Sequence, residues 1–83
     1  MSTEVTYITS MGRYLAACSE MWERERRQAI EARGHVAANS AALVGGYDNW
    51  QAVLCGLEGR IEFCQRQLTR TNRELRKLSE NAL

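Results

Sequence analysis

From Trp50 onward the chain steps by alternating fours and threes between apolar or small residues: Trp50, Leu54, Leu57, Ile61, Cys64, Leu68, Thr71, Leu75, Leu78 and Ala82. Two seam positions in seven is the pattern of a coiled coil. So narrow a stripe cannot hold a lone helix in water, so this helix has to lie against another. The N-terminal half carries the same beat at Ile8, Met11, Leu15, Cys18 and Trp22, then Glu25, Ala29, Ala32, Val36, Asn39 and Leu43. Beside it runs a second row, Tyr7, Tyr14 and Met21, which widens the stripe enough to face two partners at once.

The pattern predicts two helices. The second should run from about 49 to 79, with Asp48 as N-cap, Gln51 completing a capping box, and Gly45 and Gly46 marking the turn at 45–48. Its first half, broadened by Val53 and Phe63, contains Gly56 and Gly59, which let a neighbouring backbone come close. The first helix should span about 4–44. Its β-branched start, Val5, Thr6, Ile8 and Thr9, is compatible with an extended arm, and Gly34–His35 is a candidate break. If the phase carries through to Leu43, folding back sets Val36 opposite Leu57, Ala29 opposite Cys64 and Leu15 opposite Leu78. A parallel zipper would want opposite charges at its flanking positions, but the pairs there are Val53 with Glu58, Arg60 with Gln65, Gln67 with Asn72, and Glu74 with Ser79. The expected architecture is therefore all-α, a single antiparallel two-helix hairpin over 1–83, coiled-coil-like and dimerising into a helical bundle.

Composition fits this picture. In 83 residues there is no proline, so the commonest helix breaker is missing. A chain this small gains only a modest core, and a second copy is the simplest source of more. The net charge of +1 gives no global field toward nucleic acid or an anionic membrane. Cys18, Cys55 and Cys64 show no C-x-x-C spacing and sit among apolar positions, as small core residues of a reduced protein do. His35 is the only further soft ligand, so neither a metal nor any other cofactor is expected. No signal-peptide pattern and no membrane-length apolar run are present, which points to a cytoplasmic protein without a membrane partner.

Trp22 and Trp50 fall on the seams and read as core. Tyr7, Tyr14, Met21, Tyr47 and Phe63 are the candidates for a protein interface, because amphipathic aromatics at a stripe's edge suit a surface that is covered by a partner. The run Glu23 to Arg27 alternates in sign as a solvated face does; Glu25 alone lies on the seam, where it is expected to meet the stretch around Arg70. Arg66, Arg70, Arg73, Arg76 and Lys77 share the outer face of the second helix and are the nucleic-acid candidates. A zipper-type DNA binder, however, places its basic segment ahead of the heptads rather than on them. With one histidine, one aspartate and no phosphate loop, the inventory supports no catalytic site.

With two heptad seams joined at Gly45–Gly46, the chain resembles the small helical-hairpin proteins that bacteriophages make early in infection to disable host proteins. Members of that class inhibit quorum-sensing regulators and the type IV pilus assembly ATPase. The resemblance implies a dimeric, non-enzymatic protein of the host cytoplasm that occupies a regulator or a secretion- or pilus-type ATPase. The residues on their own lead to a protein-binding module. Two alternatives stay open: a small DNA-binding regulator using the basic face, and a structural, assembly or chaperone component, whose mark would be open-ended association.

Overall fold

The computed structural model describes the backbone of residues 3–39 and 46–82 and the side chains of residues 8–39 and 46–81. Helix α1 spans Thr3–Ala38 and helix α2 spans Gly46–Ala82, with no strand among the described residues. They pack lengthwise into a rod of 62 × 15 × 14 Å. Their direction is antiparallel: Ser19 bonds Asn72, Arg26 bonds Gln65 and Arg33 pairs with Glu58, each step forward on α1 matched by an equal step back on α2.

The ends of the helices differ from the sequence expectation. α1 begins at Thr3, so the β-branched start is helical rather than an extended arm. It runs unbroken through Gly34 and His35, because one glycine in a long seam-packed helix costs only about 1 kcal/mol. It stops at Ala38, more than a turn short of the expected end; the rest of that expectation, with Leu43 and Gly45, lies outside the described residues. At this end Asn39 donates to the His35 carbonyl twice, through its amide Nδ2 at 2.8 Å and its backbone N–H at 3.1 Å.

α2 begins at Gly46, earlier than the expected turn allows. Asp48 therefore lies in the first helical turn, where its charge suits the positive end of the helix dipole, instead of capping it. Gln51 donates to the Tyr47 hydroxyl at 3.1 Å and does not close a capping box. Gly46 sits at φ 76°, in the left-handed region. Gly46→Ala is expected to cost about 1 kcal/mol through that φ alone, seen as a lower urea midpoint in circular dichroism.

The earlier end of α1 moves the register. Glu25 pairs with Arg60 at 2.7 Å rather than with the Arg70 region, and a Cβ on Gly12 would sit 3.7 Å from Leu78, which places Leu78 about a turn away from its expected partner Leu15. The seam itself forms the contact: Ala29, Cys64, Leu68 and Thr71 are buried, while Ile8, Met11, Leu15, Cys18, Trp22, Val36, Trp50, Leu54, Leu57, Ile61, Leu75 and Leu78 are half-buried. Gly56 and Gly59 do not admit a neighbouring backbone, since nothing lies within 4 Å of a Cβ built on either. Gly59→Ala is accordingly expected to stabilise the hairpin by about 0.5–1 kcal/mol, and a lower melting temperature would show that something covers that position.

Candidate functional site

The two flanks of the seam are unlike. On one, polar side chains bridge the helices: Ser19 Oγ donates to Asn72 Oδ1 at 3.0 Å, Arg26 Nη1 to Gln65 Oε1 at 2.9 Å, and Arg33 meets Glu58 at 3.4 Å. Arg26 also holds Glu23 at 3.0 Å, one turn earlier on its own helix. On both helices these residues follow a seam residue by one, the positions that face one another across an antiparallel pair. They leave the buried Arg26 Nε without a hydrogen-bond partner among the described residues.

The opposite flank carries exposed apolar side chains together with one cross-helix ion pair, Arg60 to Glu25. Tyr14 is 65 % exposed, Phe63 42 % and Met21 39 %. Phe63 packs edge-on against Trp22, ring centroids 5.5 Å apart, so it is held in place while part of its ring faces solvent. Next to them a groove of about 520 Å³ runs between the helices, lined on α1 by Tyr14, Leu15, Cys18 and Trp22 and on α2 by the polar or charged Gln67, Arg70, Thr71 and Glu74. Cys18 lies one turn after Tyr14, and its hydrogen bond with the phenol raises the Tyr14 pKa.

The structure brings Tyr14, Met21 and Phe63 to this one flank. Tyr47 is placed apart, at the start of α2, where its ring lies 5.4 Å from that of Trp50 and is 65 % exposed. The side chain of Tyr7 lies outside the described residues. Ile30, which the heptad reading passed over because it follows the seam residue Ala29, is a further exposed apolar side chain on the outer surface. Trp50 does more than fill the seam: its Nε1–H donates to the Val36 carbonyl at 2.7 Å and so caps the last turn of α1. Only the fold-back makes that contact, so periodicity alone could not reveal it.

Arg66, Arg70, Arg73, Arg76 and Lys77 are all exposed on α2. Lys77 meets Glu74 at 3.7 Å; the four arginines form no ion pair among the described residues. Arg60 has its pKa raised, first by its hydrogen bond to Glu25 and then by that residue's charge. A raised pKa means that this contribution to stability is complete below the guanidinium's ordinary range and is lost only as pH climbs through the higher value. Deprotonating Arg60 is therefore not expected to melt the hairpin anywhere between pH 7 and 10, as a pH series of thermal melts would show.

The cysteines are unpaired, and Cys55 is exposed on the outer surface, where the sequence reading had it among core residues. Among the described residues no group of three or more His, Cys, Asp or Glu side chains comes together as a metal site would require. No described helix is long and apolar enough to cross a membrane. Fold and flank together define a helical hairpin bridged by polar pairs on both edges, with exposed Tyr14, Met21 and Phe63 on one of them. The chain matches no protein-family model, and comparison with curated proteins and with solved structures finds no match.

Proposed function

We propose that this chain is a non-enzymatic protein-binding module that acts as a homodimer and works by occupying the surface of another protein. The observation that carries the reading is the row of exposed large apolar side chains, Tyr14, Met21 and Phe63, along one flank of the hairpin. Exposed aromatics beside a groove are the usual anchors of protein interfaces. The resemblance to phage helical-hairpin inhibitors makes the target a host protein, of the regulator or secretion- and pilus-type ATPase class, bound in the host cytoplasm. The test is capture from a nuclease-treated bacterial lysate with the tagged chain and with a Tyr14→Ala, Phe63→Ala chain. One protein retained at fixed stoichiometry by the first and lost by the second supports the reading; retention of the same protein by both speaks against the flank.

A second reading rests on a separate observation, the four arginines of α2 that lack acidic partners among the described residues. It makes the chain a small DNA-binding regulator. If about five phosphates are contacted, affinity should fall by roughly twentyfold for each doubling of salt; fluorescence anisotropy with a DNA duplex would measure it, and salt-independent binding ends this reading.

A further inference from the structure

We propose that the aromatic flank and the basic face of α2 form one continuous docking surface, and that its occupant is an acidic amphipathic helix of the target protein. The inference rests on the reading of the flank as a protein-docking surface and adds the chemistry of the partner: apolar side chains along one edge, carboxylates along the next.

Position along α2 joins the two features. Exposed Phe63, Arg66, Arg70, Arg73 and Lys77 follow one another at steps of three, four, three and four, so they stand in a single row over about 21 Å of helix. The row starts at the aromatic end, where Phe63 packs on Trp22. Its basic part reaches the flank again through Arg70, which lines both the groove beside Tyr14 and Trp22 and a second hollow of about 480 Å³ bounded by Arg66, Arg73 and Lys77. Toward the bend the surface ends at the ion pair of Arg60 with Glu25, which crosses the flank one turn before Phe63.

Charge selects the partner. Arg66, Arg70 and Arg73 have no ion pair among the described residues, and the one acid that lines their hollow, Glu74, is already held by Lys77 at 3.7 Å. In a chain whose net charge is only +1, this local excess of cations is what a partner can neutralise, and guanidinium groups suit carboxylates best. The row repeats once per helical turn, about 5.4 Å, which is also the spacing of carboxylates at every third or fourth residue of a helix laid along it. Such a helix turns its adjoining apolar edge onto Tyr14, Met21 and Phe63. A nucleic-acid duplex matches less well: Glu74 lines both hollows and would repel its phosphates, and its backbone offers nothing apolar to Met21 and Phe63.

Fluorescence anisotropy with the full chain tests this, using as probe a labelled helical peptide that carries glutamates in register with the basic row and leucines on the neighbouring edge. The native chain is expected to bind it about tenfold more tightly than the same peptide with glutamine for glutamate. Arg70→Gln with Arg73→Gln should remove most of that preference; both side chains are exposed and unpaired, so the fold is retained, which circular dichroism checks. Arg24→Gln with Arg27→Gln, an equal loss of charge from exposed positions of α1, should leave binding unchanged. Equal affinity for the two peptides, no binding of either, or tighter binding of a DNA duplex overturns the proposal. So does peptide binding that weakens as the chain is concentrated into a dimer, which would make a second copy the occupant. Peptide binding that survives Tyr14→Ala with Phe63→Ala, yet is lost with the two arginines, would overturn the docking role of the flank and with it the continuity of the surface. A captured host protein that is lost with Tyr14 and Phe63 but kept by Arg70→Gln with Arg73→Gln would leave the docking reading in place and overturn the acidic partner alone.

Discussion

Truncating Leu68 to alanine is expected to cost the hairpin about 2–4 kcal/mol, the largest loss that a single apolar truncation in α2 should give. Leu68 is 5 % exposed and follows fully buried Cys64 by one turn, with buried Thr71 on its other side. These three make the only stretch of successive seam positions in α2 that is fully closed. The cavity left by the lost methyl groups cannot be filled by Thr71 or Cys64, which are too short to move into it. A domain of this size holds only a few kcal/mol in reserve, so the variant should be substantially unfolded at room temperature. Leu75→Ala, one turn further along and only half-buried, should cost clearly less. Urea titration followed by circular dichroism measures both; equal losses would mean that burial in the hairpin does not set the energetics.

Replacing Trp50 by alanine is expected to cost nearly as much, about 2–4 kcal/mol, for a different reason. Trp50 is half-buried, stacks with Tyr47 and donates a 2.7 Å hydrogen bond to the Val36 carbonyl. It therefore joins the end of α1 to the start of α2. Trp50→Phe separates the two contributions: it retains a ring but leaves the carbonyl without its indole donor, and should cost about 1 kcal/mol. If phenylalanine proves as damaging as alanine, the capping bond rather than the packing holds the bend. If phenylalanine is silent, the Val36 carbonyl is satisfied without Trp50.

Much of the fold could be read from spacing. A period of 3.5 in both halves leaves only helices packed along a seam, and the absence of proline removes the main reason for a helix to stop. Apart from exposed Asn39, the described seam residues are buried or half-buried. The edge row was legible too: Tyr14 and Met21 stand one position before seam residues and lie exposed beside the contact. Phe63 was picked out as an aromatic that widens the stripe, but its pairing with Trp22 depends on register. Register depends on where α1 ends, and neither the glycines nor the continuing heptad phase marks its end at Ala38.

By itself, then, the sequence determined that this protein is two long amphipathic helices, which side chains face the seam, and that one edge of the stripe carries aromatics. Those properties follow from the repeat of side chains around a helix, which needs no knowledge of the partner. Tertiary structure decided where α1 ends, which acid meets which base, and that the polar positions bridge one flank while Tyr14, Met21 and Phe63 are left on the other. Heptads look the same when one helix slides by a turn along the other. Only the Trp50 bond to Val36 and the cross-helix pairs select one alignment, because each requires two particular side chains or carbonyls to arrive together.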